Sequence, residues 1–109
     1  MVQKPTRKRN DEAKFMARVR ALAKENNWLY YHTADSRRSP AGYPDITLVK
    51  DGTIIFTELK TMIGRVTKDQ KIWLEALNNC QTVETYLWRP NDMEYITRRL
   101  VEGPVPSHI

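Results

Sequence analysis

Apolar residues in the first part of the chain recur at intervals of three and four positions, which is the spacing of one face of an α-helix. The stripe consists of Phe15, Met16, Val19, Leu22 and Ala23. Asn10 and Asp11 precede it, and both are residue types that cap helices. The pattern therefore predicts a first helix from about residue 10 to about Asn26.

Three strands are predicted after this helix. Residues 28–33 are rich in aromatic side chains, which favours a strand. Residues 44–50 and 53–61 flank Asp51-Gly52, a pair that is typical of two-residue hairpin turns. These two segments are therefore predicted to pair as antiparallel strands.

The rest of the chain predicts a helix, a strand and a short helix. Thr67 and Gln70 match a capping box that opens the second helix. A fourth strand covers residues 82–88 and ends before Pro90, and Asn91 begins the last helix. The resulting order, α-β-β-β-α-β-α, predicts an α/β domain with a mixed sheet flanked by helices.

The composition fits one small domain. The 109 residues, of which 40% are apolar, suffice for a modest core. No apolar stretch approaches the roughly 18 residues that a membrane span requires, so no membrane association is expected. We find no secretory signal pattern, and the single cysteine, Cys80, cannot form an internal disulfide. These features predict a cytoplasmic protein, located in the host cytoplasm if a phage encodes it.

The excess positive charge lies at the N-terminal end. Residues 1–20 contain seven basic and two acidic side chains and the remainder contains eleven of each, so the whole net charge of +5 lies in this segment. Such a cluster attracts polyanions, of which nucleic acid is the commonest in the cytoplasm, although a solvated tail is the alternative. We assign residues 1–9 as a basic arm, residues 10–102 as the domain and residues 103–109 as an irregular tail.

Candidate chemistry lies at the open end of the predicted hairpin. A two-residue turn at residues 51–52 brings Asp45 opposite Glu58, with both side chains on one face of the sheet. Two adjacent carboxylates repel each other unless a proton or a cation lies between them. Lys60 is on the same face and can complete a purely structural ion cluster, whereas a bound Mg²⁺ ion would make the group a metal centre. The pattern leaves both possibilities open.

Two motifs on this hairpin resemble a known family. Gly42-Tyr43-Pro44-Asp45, followed after twelve residues by Glu58-Leu59-Lys60, resembles the signature of PD-(D/E)XK nucleases. Gly64-Arg65, the segment 70–74 and the strand end 87–90 narrow the resemblance to stand-alone VRR-NUC domains, the virus-type replication-repair nucleases. The resemblance extends from Glu12 to Leu100. It implies a restriction-endonuclease-like fold and metal-dependent cleavage of DNA that leaves a 5′-phosphate and a 3′-hydroxyl.

The resemblance also implies roles for individual residues. Asp45, Glu58 and the main-chain carbonyl of Leu59 match metal ligands, with Mg²⁺ as the expected ion and Mn²⁺ as its substitute. Lys60 matches the catalytic lysine of these nucleases.

Two further residues match the family but also have structural alternatives. Glu12 shares the helical register of Phe15 and Met16, so its carboxylate should point inward, and it matches an acid of the first helix that acts in catalysis and metal binding. Complementing the helix dipole is its alternative role. Gln70 matches a glutamine near the catalytic site, and it can equally complete the cap of Thr67.

DNA is the partner that the resemblance implies. Arg37, Arg38, Arg65, Lys8 and Arg9 are the basic residues expected to contact its phosphates. Stand-alone domains of this type imply a homodimer that acts on branched or junction DNA in replication, recombination or repair. A non-catalytic nucleic-acid-binding module and a sequence-specific restriction-type nuclease are the alternatives.

Overall fold

The structure is a computed structural model that describes residues 4–34 and 40–104, and side chains only from residue 11 onwards. Its helices and strands follow the predicted order. They are α1 (Lys4–Glu25), β1 (Leu29–His32), β2 (Ile46–Lys50), β3 (Thr53–Leu59), α2 (Lys68–Asn78), β4 (Glu84–Trp88) and α3 (Met93–Thr97), with a 3₁₀ turn at Pro90–Asp92 and a π-helical turn at Arg98–Glu102. Across the described ranges, none of these helices combines the length and the apolar character needed to cross a bilayer.

The four strands form one mixed sheet in the order β1-β2-β3-β4. The first two pairings are antiparallel, and β3 pairs with β4 in parallel. A parallel pair needs a crossover connection, which α2 provides between β3 and β4. The sheet and its flanking helices confirm the predicted α/β class.

The hairpin between β2 and β3 has the predicted register. Lys50 pairs with Thr53, and the ladder runs back to the pairing of Ile46 with Thr57. The turn residues at positions 51 and 52 have φ angles of 49° and 80°, which a tight two-residue hairpin turn requires. One step beyond the ladder, this register sets Asp45 beside the end of β3.

The hydrophobic core lies between α1 and the sheet, and the last helix closes it. Successive strand residues alternate between faces, so Ile46, Leu48 and Ile55 are buried while their neighbours Thr47 and Val49 are half-buried. The buried apolar cluster consists of Phe15, Val19, Ala23, Trp28, Ile46, Leu48, Ile55, Leu59, Trp88, Ile96 and Leu100. Burying a large apolar side chain contributes about 1.5–3 kcal/mol, so this cluster is the main stabilising element.

Helix α1 begins earlier than predicted. It starts at Lys4, so Asn10 and Asp11 lie inside the helix and do not cap it, and α1 includes residues 4–9 of the predicted basic arm. Lys and Arg favour helix, and Pro5 stands in the first turn, where its missing N–H is not needed.

Each strand is two residues shorter than predicted, because the regular main-chain pairing with its neighbours ends before the predicted limits.

Gly42, in the loop before β2, lies close to the backbone of α2. Its φ is +99°, and a Cβ at this position would lie 2.5 Å from the main-chain carbon and oxygen of Asp69. Gly52 of the hairpin turn also has a positive φ, +80°, but a Cβ there would have no heavy atom within 4 Å. A side chain at position 52 would therefore meet backbone strain alone, whereas one at position 42 would meet both backbone strain and steric crowding.

We expect Gly52→Ala to lower the free energy of unfolding by about 1 kcal/mol, because alanine disfavours positive φ. Gly42→Ala should lower it by roughly 3 kcal/mol, because crowding against α2 adds to the same strain. Urea unfolding followed by tryptophan fluorescence measures both values. Equal losses in the two variants would show that the close approach to Asp69 does not constrain the loop.

Candidate active site

The loop that carries Asp45 is held by its neighbours on both sides. The ring of Tyr43 packs edge-on against Trp73 of α2, with 4.9 Å between ring centroids. Thr33, just after β1, donates its N–H to the Asp45 carbonyl and its hydroxyl to the Pro44 carbonyl, each at 2.8 Å. Main-chain bonds therefore position Asp45 and leave its carboxylate available for other contacts.

The Asp45 carboxylate reaches across the end of the hairpin. Its Oδ2 atom accepts a hydrogen bond of 2.9 Å from the main-chain N–H of Leu59. This bond prolongs the β2–β3 pairing with a side chain after the ladder has ended. It also holds the Asp45 carboxylate beside that of Glu58, close enough for the two groups to interact.

Glu58 is the buried member of this pair, with 2% of its surface exposed. Its Oε2 atom accepts a hydrogen bond of 2.8 Å from Nε2 of Gln70 and lies 3.7 Å from Nζ of Lys60. Its Oε1 atom is buried and has no hydrogen-bond partner among the described residues. Burial, and then the charge of Asp45, raise the pKa of Glu58 to about 8, an effect that Lys60 partly offsets.

Gln70 uses both ends of its side-chain amide. Its Oε1 accepts from the main-chain N–H of Thr67 at 2.9 Å, and the main-chain N–H of Gln70 donates to the Thr67 hydroxyl at 3.1 Å, which completes the predicted capping box of α2. Because the oxygen of the amide is engaged in the cap, its NH₂ group faces Glu58. The two contacts considered from the sequence are therefore made by one side chain, although neither establishes a catalytic role.

These side chains open onto a cavity of about 360 Å³ between α1, the sheet end and α2. The cavity brings together Asp45, Glu58, Lys60, Gln70 and Glu12, the five side chains proposed for catalysis from the sequence. Leu59, whose main-chain carbonyl was expected to bind the metal, also lines the cavity. The remaining lining residues, which the sequence did not indicate as site residues, are Ala13, Phe15, Met16 and Thr61.

Glu12 lines this cavity from an exposed position on α1. Within residues 4–34 and 40–104, no three side chains of His, Cys, Asp or Glu lie close enough together to hold a metal ion. Glu12 therefore does not complete a compact triad with Asp45 and Glu58. A ligand role for Glu12 requires a rotation of its side chain or an intervening water molecule, and it stays a prediction.

The donor set at the acid pair fits a hard divalent cation. Two carboxylates and the adjacent main-chain carbonyl of Leu59 offer oxygen ligands of the kind that Mg²⁺ and Mn²⁺ prefer. The unpartnered Oε1 of Glu58 is a buried acceptor that a cation would satisfy. A cation would also replace the proton that the raised pKa of Glu58 implies at neutral pH.

The basic residues predicted to contact DNA are less fully described. Arg65 is exposed in the loop between β3 and α2. Lys8 and Arg9 lie in α1, but their side chains are outside the described part of the structure. Arg37 and Arg38 also fall outside the described residues. The proposed phosphate contacts therefore stay predictions.

The amino-acid sequence matches one known family along most of its length. A family model described as the VRR-NUC domain matches residues 6–95, a range that contains the whole sheet, α2 and every residue that lines the cavity. No curated protein and no solved structure matches the chain.

Glu58 should make folding stability depend on pH in metal-free solution. Its pKa is about 8 in the folded protein against an ordinary value of 4.5, so the folded state binds the extra proton between these two values. Stability should therefore fall as pH rises from 5 to 8, by on the order of 3 kcal/mol. Glu58→Gln should remove most of this slope in urea titrations with EDTA.

The exposed Glu75 of α2 provides the matched control. Glu75→Gln makes the same chemical change outside the cavity, so it should leave the slope of wild-type protein intact. A wild-type stability that stays level or rises between pH 5 and 8 would contradict the proposed protonation of Glu58.

Proposed function

The chain belongs to the VRR-NUC family of nuclease domains, and on that premise we propose that it is a metal-dependent endonuclease that hydrolyses DNA phosphodiester bonds. The observation that carries this proposal is the group formed by Asp45, Glu58 and Lys60 at the end of the hairpin. Two carboxylates and an ammonium group line the same cavity, and one buried carboxylate oxygen has no partner among the described residues.

Asp45, Glu58 and the main-chain carbonyl of Leu59 would hold the ion, which we propose is Mg²⁺ with Mn²⁺ as a functional substitute. Bound there, a divalent cation acidifies water and offsets the negative charge of a phosphodiester. The hydrogen bond from Leu59 to Asp45 keeps one carboxylate in place, and the amide of Gln70 keeps the other in place. Both ligands are therefore oriented before an ion or DNA arrives.

Lys60 is the residue that we propose acts on the reacting groups. Its ammonium lies 3.7 Å from Oε2 of Glu58, and its side chain is 16% exposed, so it is held at the cavity but can still reach a substrate. There it orients the attacking water and stabilises the charge that builds on the phosphate oxygens. Water adds to phosphorus, and the bond to the 3′ oxygen breaks, which leaves a 5′-phosphate and a 3′-hydroxyl.

The DNA path follows from the charge around the cavity. Helix α1 borders the cavity at Glu12 and Ala13, and Lys8 and Arg9 lie one turn earlier in the same helix. This position supports our proposal that Lys8 and Arg9 contact phosphates near the scissile bond. Arg65, five residues after Lys60, is exposed. We propose that Arg37 and Arg38, which precede Asp45 in the sequence, also contact phosphates.

We further propose that two copies of the chain act together on branched DNA in replication, recombination or repair. A single copy of the site would cut one strand at a time, whereas a two-fold symmetric dimer presents two such sites to two strands. The alternative is a DNA-binding module without catalysis. The position of Lys60, with Nζ 3.7 Å from Oε2 of Glu58, favours that alternative, because its ammonium can supply a counter-charge without metal.

Removal of any of the three central groups should abolish cleavage. We expect Asp45→Asn, Glu58→Gln and Lys60→Met each to lower the cleavage rate of four-way-junction DNA in Mg²⁺ by at least about a hundredfold, because each removes a charge next to the reacting phosphate. Gel assays measure the rate, and EDTA should stop it.

The control for this comparison is Glu75→Gln, which should cleave at the wild-type rate. Binding of junction DNA by the wild-type protein with no metal-dependent nicking would support the non-catalytic module instead. Cleavage that depends on one DNA sequence and ignores branching would favour the restriction-type nuclease.

Glu12 should strengthen cation binding from the wall of the cavity. We expect Glu12→Gln to weaken Mn²⁺ affinity and slow cleavage by about tenfold, the size of effect seen when groups around a metal site are altered. Calorimetry measures the affinity. Glu25→Gln, at the far end of the same helix, makes the same change of charge and should have no effect. Unchanged affinity in Glu12→Gln would exclude Glu12 from the site.

A further inference from the structure

The chain makes a short turn with an apolar tip directly after Lys60. The tip consists of Met62 and Ile63, which are 52% and 77% exposed. Single exposed apolar residues are common on protein surfaces and need no explanation. This pair differs from those because it is adjacent to the cavity, since Lys60 and Thr61, the residues just before the tip, both line that cavity.

The base of the turn is built to hold the tip in place. The N–H of Gly64 donates to the Thr61 carbonyl at 3.3 Å, which closes the turn. The Nη1 atom of Arg89 donates to the carbonyls of Thr61 and Gly64 at 2.6 and 2.8 Å, so one guanidinium joins both ends. The N–H of Arg89 in turn donates to Asp92 at 2.9 Å. The apolar tip therefore stands on a fixed, partly buried base.

The charges around the tip suit a polyanion. Residues 60–71 contain four basic side chains and one acidic side chain, Asp69. Arg65 and Lys68 are both exposed beside the turn. An apolar tip followed by exposed basic side chains matches the chemistry of nucleic acid at an opened step, where bases are apolar and phosphates are anionic.

We propose that Met62 and Ile63 form a wedge that enters the DNA base stack at a branch point or unpaired step beside the scissile phosphate. This inference rests on the proposed nuclease function and adds the element that selects the substrate. Entry into a continuous duplex requires base pairs to unstack, whereas the stack is already interrupted at a branch or unpaired step, so entry there costs less. The wedge therefore favours branched over continuous DNA.

The test compares cleavage of a four-way junction with cleavage of a linear duplex of the same sequence. Wild-type protein should prefer the junction by about tenfold or more, which corresponds to unstacking one base step. The double variant Met62→Ala/Ile63→Ala should lose most of this preference through slower junction cleavage, with duplex cleavage changed less than about twofold. Met62→Leu/Ile63→Leu keeps the apolar tip and should retain the preference.

Ile72 provides the matched control because it is 56% exposed on α2, outside the turn and the cavity lining. Ile72→Ala should preserve both rates. A second measurement uses 2-aminopurine at the branch point, without Mg²⁺. Its fluorescence should rise when wild-type protein binds and should rise much less with Met62→Ala/Ile63→Ala. Thermal unfolding should show a cooperative transition for this variant, which establishes that it is folded.

The outcomes separate the wedge from the nuclease function. An unchanged junction preference in the double alanine variant, with active wild-type protein, overturns the wedge and leaves the nuclease intact. Absence of any metal-dependent cleavage overturns the nuclease, and the 2-aminopurine signal then still decides whether the tip enters DNA. A double variant that changes from dimer to monomer in light scattering shows a subunit contact, and that result also overturns the wedge.

Discussion

The proximity of the Asp45 and Glu58 carboxyl groups is the constraint around which the rest of the site is arranged. A buried acid pair is stable only with a proton or a cation, so its placement costs folding free energy that other contacts must offset. The two-residue turn brings the acids to the same level of the hairpin, and the Leu59 N–H fixes the Asp45 carboxylate. The packing of α1 on the sheet offsets this unfavourable contribution to the free energy of folding.

Several side chains that support the acid pair also complete a local structure. Gln70 caps α2 with one end of its amide and contacts Glu58 with the other. Thr33 extends the pairing of β1 with β2 and at the same time holds the loop before Asp45. Each of these contacts therefore serves both the fold and the site.

Local chemistry explains which features could be predicted from the sequence. The hairpin register follows from Asp51-Gly52, because a two-residue turn allows only one alignment of the strands that flank it. The capping box follows from Thr67 and Gln70, because their spacing of three residues lets each side chain reach the main chain of the other. The start of α1 could not be located, because two good capping residues stand inside a run of strong helix formers. The spacing of Glu12 from Phe15 and Met16 along the helix predicted that its side chain points inward, but this spacing could not give its distance from the acid pair.

Contacts between distant parts of the chain were beyond prediction. Arg89 follows β4, and only the folded chain brings its guanidinium to the turn at residues 61–64, because β4 lies parallel to β3. Neither residue type nor spacing signals this contact. The unpartnered Oε1 of Glu58 is equally a product of three-dimensional packing.

The parallel pairing of β3 and β4 also links the chemistry to the proposed recognition of DNA. Glu58, Lys60 and Ile63 lie within six consecutive residues, and the N–H of Lys60 donates to the Trp88 carbonyl one residue before Arg89. The last residue of β4, Trp88, therefore fixes the main chain of Lys60, and the next residue, Arg89, fixes the base of the apolar tip. A base that contacts the tip and a phosphate at the acid pair would thus be held at one separation, which restricts cleavage to a set distance from the opened step.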